Sequence, residues 1–180
     1  LDAMLAAIGP RTRLVLLCTP NNPGGVTIPG AELDRFLDAV PSETLVVIDE
    51  AYLEYVTGER PDAIARYRRH ANICVLRTFS KAYGLAGLRV GYGIASPTVA
   101  GALRQTGVPF AVSSIAQAAA IASLDARDEL AERVALVASE RDRMTAALRS
   151  TGWRVPSSQA NFVWLRTDEP TRHGLLQAFD

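Results

Sequence analysis

Lys81 is the only lysine in the chain, beside 18 arginines. It lies in the segment LRTFSKAYGLAGLRVGYG, residues 76–93, just after an apolar run that ends near Thr78. An amine forms an imine with a carbonyl compound, whereas a guanidinium stays protonated and is a poor nucleophile. A solvated surface lysine is the alternative, but a lysine placed blindly among the 19 basic positions would fall here roughly one time in 19. We therefore predict a chemical role for Lys81.

Groups suited to a phosphate surround this lysine in the sequence. Thr78 and Ser80 precede it, and Arg89 follows eight residues later among several glycines. Hydroxyls together with the planar fork of a guanidinium match the oxygens of a phosphate. In open α/β sheets, ligands bind at the carboxyl ends of the strands. The segment therefore predicts a phosphate site beside an amine.

A carboxylate ends a second apolar run, LVVIDEAYLEY, residues 45–55. Asp49 and Glu50 could simply favour the start of a helix through its dipole, and Tyr52 could be an ordinary half-buried aromatic residue. However, a carboxylate that emerges from a buried strand is costly unless it has a cationic partner. A protonated pyridine nitrogen would be such a partner for Asp49.

A third strand-like run, LLCTPNNPGG, residues 16–25, ends in two asparagines, a proline and two glycines. A turn explains Pro23, Gly24 and Gly25. It explains Asn22 less fully, because an amide held beside a rigid proline is a good donor to an anionic oxygen.

The pattern of short apolar runs between helical segments predicts an α/β fold with a mostly parallel sheet and helices on both faces. The predicted strands are Leu14–Cys18, Leu45–Asp49, Ile73–Thr78 and residues 90–94. The predicted helices are Gly30–Ala39 and residues 61–69, 97–104, 114–124 and 126–150.

The character of the sequence changes after Gly152, where two strands are predicted at residues 153–155 and 161–165. We expect a larger unit over residues 1–150 and the beginning of a smaller one over residues 151–180, with a helix starting near Thr171. The abrupt start and the unfinished second unit suggest a fragment of a longer protein.

The composition excludes several classes of function. The formal net charge is zero, so no general excess of charge would hold a nucleic acid or an anionic membrane. No apolar stretch is long enough to span a bilayer, and no signal peptide is recognisable. The two cysteines lie in apolar runs and fit no metal motif, which is typical of reduced core residues in a cytoplasmic protein. Phosphate-loop, dinucleotide and acylating-serine motifs do not fit.

The segments NNP, DEAY and SKxxGLxGxRxG, in this order, resemble the fold type I aminotransferases that use pyridoxal 5'-phosphate, in particular the histidinol-phosphate and aromatic amino acid branch. The resemblance covers essentially the whole chain. It implies the large domain of the aspartate aminotransferase-like fold, followed by the start of a small α+β C-terminal domain. It also implies a homodimer that acts on an amino acid and a 2-oxo acid.

Carried over by matching positions, the resemblance implies a role for each residue of the three segments. Lys81 would hold the cofactor as an internal aldimine and then serve as general base and acid. Asp49 would pair with the pyridinium nitrogen, and Asn22 and Tyr52 would hydrogen-bond the phenolic oxygen. The residues that would anchor the phosphate are Thr78, Ser80 and Arg89.

For the substrate, the stretches VPFAVSSIAQAAAIASLDA and SQANFVWL look similar to the phenylalanine aminotransferases of this branch. Phe110 would line the substrate side of the pocket or serve as a core aromatic residue, and Asn161 would approach the substrate carboxylate or cap a strand. The motif NNPTG of the family has Gly24 in place of threonine here. Transamination of histidinol phosphate is the alternative activity, and a binding or scaffolding domain without turnover is the alternative of another class.

The resemblance also implies residues that these 180 positions do not contain. They are the rest of the phosphate-binding loop, the aromatic side chain that stacks on the ring, a tyrosine from the partner subunit and the arginine that binds the substrate carboxylate. We therefore expect this chain alone to be incapable of catalysis.

Overall fold

A four-stranded sheet forms the centre of the molecule in the computed structural model, which describes residues 1–179. Its strands are β1 (Leu14–Cys18), β2 (Leu45–Asp49), β3 (Ile73–Thr78) and β4 (Gly91–Ala95), and they lie in that spatial order. β1, β2 and β3 run parallel, and β4 pairs with β3 in the antiparallel direction. The sequence-based prediction of a mostly parallel α/β sheet is thus confirmed.

Seven α-helices connect or flank the strands within residues 1–179. They are α1 (Asp2–Ala6), α2 (Gly30–Ala39), α3 (Ala63–Tyr67), α4 (Pro97–Thr106), α5 (Ser114–Asp125), α6 (Arg127–Ser150) and α7 (Glu169–Phe179). Single turns of 3₁₀ helix occur at Leu53–Tyr55 and Ala86–Leu88. α3 is shorter than predicted because Asp62 caps it: the Asp62 side chain accepts a hydrogen bond from the Ile64 N–H.

The main core lies between one face of the sheet and α2. Alternate residues of β1 point into it, so Val15 and Leu17 are buried whereas Leu14 and Leu16 are 50% and 66% exposed. The apolar face of α2 covers this side of the sheet through Leu33, which is fully buried. The opposite face is therefore uncovered at β1, although helices were predicted on both faces of the sheet.

The two strands predicted after Gly152 are absent from the structure, where residues 153–155 and 161–165 form irregular backbone. A strand needs a neighbouring strand with which its backbone N–H and C=O groups form hydrogen bonds. Here one of these groups bonds elsewhere, because the Arg149 side chain donates to the Val155 carbonyl oxygen. Between the two predicted strands, the Gln159 N–H donates to the Gly25 carbonyl oxygen at 2.7 Å. The predicted helix near Thr171 is confirmed as α7.

Both cysteines lie on strands as free thiols, Cys18 half-buried on β1 and Cys74 buried on β3. Burial raises the pKa of each thiol, so both are poor nucleophiles at neutral pH. None of the helices within residues 1–179 has both the length and the apolar character that crossing a membrane requires.

Candidate active site

A cleft of about 610 Å³ opens at the carboxyl ends of β2 and β3. Because β2 and β3 are parallel, their last residues meet at the same edge of the sheet, and the antiparallel β4 begins there. The cleft is lined by Asp49, Ala51, Leu76, Arg77, Thr78, Ser80, Lys81, Ala86, Arg89, Val90, Gly91, Tyr92 and Gly93. The structure therefore brings together the amine, the carboxylate and the phosphate-type donors that were predicted from separate segments.

Asp49 is the last residue of β2 and is half-buried at the floor of the cleft. One carboxylate oxygen, Oδ1, accepts a hydrogen bond from the Ala51 N–H at 2.9 Å. This bond fixes the carboxylate at the strand end. A fixed carboxylate in this position is suited to a cationic N–H group of a ligand.

Lys81 follows β3 by three residues, and its side chain reaches over the ring of Tyr52, with 5.3 Å between Nζ and the ring centroid. Tyr52 is only 5% exposed. Its hydroxyl accepts a hydrogen bond from Asn22 Nδ2 at 3.2 Å. Phe162 packs edge-on against the same ring, with centroids 5.2 Å apart. The three sequence segments thus meet around one aromatic ring.

The connection from β3 to β4 is shaped around the predicted phosphate donors. Thr78 Oγ1 accepts a hydrogen bond from the Ser80 N–H at 3.1 Å, which turns the chain at the end of β3. Arg89 has left-handed backbone angles, φ 53° and ψ 49°, and Nη1 donates to the Ala86 carbonyl oxygen at 2.6 Å. A Cβ at Gly91 would lie 2.8 Å from the Arg77 carbonyl oxygen, so only glycine fits where β4 starts.

The amine, carboxylate, hydroxyls and guanidinium of this cleft fit pyridoxal phosphate by their chemistry. Its phosphate needs hydroxyl and guanidinium donors, its protonated ring nitrogen needs a carboxylate, and its aldehyde needs an amine. The cleft supplies each group within one continuous surface.

Glu50 forms an ion pair with Arg77, whereas the sequence had suggested that it favours the start of a helix. Its side chain is buried, and Oε2 accepts hydrogen bonds from Nε and Nη2 of Arg77 at 3.0 and 2.9 Å. Burial raises the pKa of Glu50, although the Ala63 N–H and the Arg77 guanidinium act in the opposite direction. Burial acts to lower the pKa of Arg77, but the Glu50 carboxylate outweighs it and the pKa is raised. Sequence reasoning missed this pair; an arginine inside a buried strand was the available signal.

The turn that holds Asn22 is in contact with residues 157–162. Gly25 has φ 71°, and a Cβ there would lie 2.1 Å from Ser158 Oγ and 2.9 Å from Ser158 Cα. On the other side of this segment, Gln159 Oε1 accepts a hydrogen bond from the Thr57 N–H at 2.7 Å. The segment therefore contacts the turn at residues 21–25, called the asparagine turn below, and also bonds to Thr57 after Tyr55.

We expect Gly25→Ala to destabilise the protein by more than about 1–2 kcal/mol, the usual cost of a left-handed non-glycine residue, because a clash with Ser158 is added. Urea unfolding of the complete encoded protein measures this. Gly24→Ala is the matched control, since the nearest atom to its Cβ would be Asn21 Oδ1 at an ordinary 3.5 Å. Equal midpoints for the two variants would contradict the expectation.

The two predicted substrate residues lie outside the set that lines the cleft. Phe110 is fully exposed in the loop before α5, with φ 57°, so the structure does not support a core position for it. Asn161 lies beside the Tyr55 hydroxyl, close to the Tyr52–Phe162 contact but not at the cleft itself. Their roles toward a substrate stay predictions.

A larger cavity of about 790 Å³ lies at the far end of α6 and contains none of the predicted site residues. It is lined by Arg149, Trp153, Arg154, Val155, Pro156, Arg166, Thr167 and Asp168. We assign no role to this cavity in the chemistry predicted for Lys81, because none of the predicted site residues lines it.

Comparison with known proteins gives one consistent family. The model of the family described as "Aminotransferase class I and II" matches residues 1–178. A protein of Streptomyces coelicolor named "Aromatic amino acid aminotransferase" is 62% identical over 172 residues, which are 95% of this chain and 48% of that protein. A protein of the same name from Mycolicibacterium smegmatis is 55% identical over 181 residues, covering 100% of this chain and 50% of that protein.

Among solved structures, histidinol-phosphate aminotransferase from Sinorhizobium meliloti in complex with pyridoxal-5'-phosphate superposes with a TM-score of 0.84 at 38% identity. The match covers 90% of this chain and 44% of that chain. The present chain therefore spans about half the length of the relatives that it matches.

Proposed function

Because this chain belongs to the aminotransferase class I and II family, we propose that the complete protein uses pyridoxal 5'-phosphate to transfer the amino group of an aromatic amino acid, such as phenylalanine or tyrosine, to a 2-oxo acid. The observation that carries this proposal is the cleft in which Lys81, Asp49 and the donors Thr78, Ser80 and Arg89 lie together. The names of the relatives that are 55% and 62% identical support the aromatic substrate.

The bound cofactor supplies an aldehyde for the amine and a ring that draws electrons from the substrate α-carbon. The Lys81 amine takes the proton from that carbon and returns it as general acid. Asp49 accepts a hydrogen bond from the ring N–H and keeps this nitrogen protonated. Tyr52, positioned by Asn22 and Phe162, would donate to the phenolic oxygen of the cofactor.

The phosphate is held at the other end of the cleft. The hydroxyls of Thr78 and Ser80 would donate to its oxygens, and the Arg89 guanidinium would compensate its charge. Because Arg89 is already turned by its bond to the Ala86 carbonyl oxygen, its long side chain loses less freedom on binding. With the phosphate held by these donors, Asp49 and Lys81 would be the residues that contact the ring.

We also propose the organisation that the resemblance implies. The protein would be a cytoplasmic homodimer, with a large cofactor-binding domain over residues 1–150 and a smaller domain that starts in residues 151–180. The last of these residues, Asp180, lies outside the described part of the structure. The α7 helix and the contacts of residues 157–162 with the asparagine turn are compatible with a second domain that closes on the site.

Transamination of histidinol phosphate is the second candidate, favoured by the 38% identity with the Sinorhizobium meliloti enzyme. We expect the complete encoded protein to convert phenylpyruvate with a kcat/KM at least about tenfold above that for imidazole-acetol phosphate, because a pocket built for one side chain discriminates by roughly 10- to 200-fold. The reverse order would establish the second candidate. Absence of turnover with both would favour a binding or scaffolding protein.

A further inference from the structure

An ion pair between Glu50 and Arg77 links the ends of β2 and β3 beside the cleft. Glu50 is 1% exposed and follows the last residue of β2. Its Oε2 lies between Nε and Nη2 of Arg77, and its Oε1 accepts the Ala63 N–H at 2.9 Å. Arg77 Nη2 also lies 3.3 Å from Asp62 Oδ1, in front of α3. One buried carboxylate thereby joins two strands and a helix.

Each member of this pair is the chain neighbour of a residue that the proposed function places on the cofactor. Glu50 follows Asp49, and Arg77 precedes Thr78. Neighbouring residues in extended backbone point to opposite sides. The Glu50 carboxylate lies toward α3, where Oε1 accepts the Ala63 N–H, while Asp49 and Thr78 line the cleft. Arg77 also borders the cleft, and its guanidinium reaches Glu50 and Asp62. The backbone link between the strands, from the Glu50 N–H to the Leu76 carbonyl oxygen, measures 2.9 Å at the same level.

Stability alone is a poor explanation for such a pair. Taking two charges out of water costs about as much as their attraction returns, and apolar side chains of similar volume often replace such pairs without loss. An ion pair of this kind adds geometric specificity, because a guanidinium donates two hydrogen bonds to a carboxylate only in a narrow range of relative positions. The pair is thus suited to fixing the distance between two strand ends.

We propose that Glu50 and Arg77 are positioning residues that hold the ends of β2 and β3 at the spacing at which Asp49 and the phosphate donors reach one cofactor molecule. This inference rests on the proposed function and deepens it. Inorganic phosphate needs only the β3–β4 end of the cleft, whereas pyridoxal phosphate needs both ends. A shift of β2 relative to β3 therefore weakens binding of pyridoxal phosphate and spares binding of phosphate.

The test compares Glu50→Gln, Arg77→Met and the double variant in the complete encoded protein freed of cofactor. We measure dissociation constants for pyridoxal phosphate and for inorganic phosphate, and the urea midpoint. Both single variants bind pyridoxal phosphate on the order of 10- to 100-fold more weakly, since misplacement by about 1 Å has effects of this size. In Glu50→Gln, which leaves every side chain of the cleft lining in place, the affinity for inorganic phosphate changes by less than about threefold, because only pyridoxal phosphate needs both strand ends in register.

The double variant separates positioning from folding. Removing both charges leaves no unpaired ion, so its urea midpoint rises above those of the single variants, while its affinity for pyridoxal phosphate stays low. Asp34→Asn is the matched control, because Asp34 pairs with Arg66 at 2.7 Å between α2 and α3, away from the cleft. This control lowers the midpoint without changing the affinity for pyridoxal phosphate.

Two results would overturn the role of the pair: unchanged affinity for pyridoxal phosphate in the double variant, or an equal loss for phosphate and for pyridoxal phosphate in all three variants. If the unsubstituted protein bound phosphate but no pyridoxal phosphate, the proposed function itself would fail, and the positioning role with it. The two failures are therefore distinguishable.

Discussion

Replacing Lys81 with alanine abolishes transamination in the complete encoded protein and leaves the fold intact. The Lys81 side chain is exposed, so its loss changes the free energy of unfolding by less than about 0.5 kcal/mol. On the proposed function, loss of the amine removes both the covalent link to the cofactor and the base that moves the substrate proton. General acid–base catalysis alone contributes about 10²- to 10⁴-fold, so kcat falls by at least that factor.

The covalent link gives an independent measurement. Borohydride reduces an imine to a stable amine, and peptide mass spectrometry then shows the cofactor on the peptide that contains Lys81. Since the chain has no second lysine, the assignment within these 180 residues has no competing side-chain amine. Arg104→Ala, which removes an exposed cation from α4, is the control and retains both turnover and the reduced adduct. A reducible yellow chromophore in the Lys81→Ala variant would show that the amine lies elsewhere.

Replacing Asp49 with asparagine has the second largest effect. Asparagine keeps the size of the side chain and an oxygen for the Ala51 N–H, but it lacks the charge that holds a proton on the ring nitrogen. A hydrogen bond to a charged group contributes about 1.5–3 kcal/mol, so kcat falls by roughly 10- to 150-fold. Steady-state kinetics with an aromatic amino acid measures the fall.

A control separates this effect from a general change of charge. Asp38→Asn removes a carboxylate that is 70% exposed on α2, and it leaves kcat unchanged. The affinity for pyridoxal phosphate also decreases in Asp49→Asn, because the ring loses a partner while the phosphate keeps its own. Full activity of Asp49→Asn beside an inactive Lys81→Ala would mean that the ring nitrogen is not paired with Asp49.

The strands could be predicted closely from the sequence because each is a short apolar run that stops at a polar residue. Cys18, Asp49 and Thr78 mark the ends of β1, β2 and β3 both in the sequence and in the structure. Asp49 and Thr78 also indicated the site, since parallel strands place their carboxyl ends at one edge. The sequence therefore predicts Lys81 and Asp49 at one edge of the sheet, and in the structure both line one cleft.

Partners across the sheet could not be predicted in the same way. Glu50 and Arg77 are separated by the whole of α3 and most of β3, and nothing in their local sequence shows that the half-buried Arg77 guanidinium meets the buried Glu50 carboxylate. The strand-like pattern around Trp153 and Phe162 was also misleading, because a pattern of apolar residues does not reveal whether a neighbouring strand exists. Tertiary context decides both cases.

The antiparallel pairing of β3 with β4 has a consequence for how the site assembles during folding. Thr78, Ser80, Lys81 and Arg89 lie on a single hairpin-like unit, and its strands close a short loop, whereas β2 must find β3 across a helical crossover. Closing a loop costs more entropy as the loop grows, by about 0.6 kcal/mol for each doubling of its length. The connection between β3 and β4 is about half as long as that between β2 and β3, so closing the unit that carries Lys81 and Arg89 costs about 0.6 kcal/mol less than bringing Asp49 beside it.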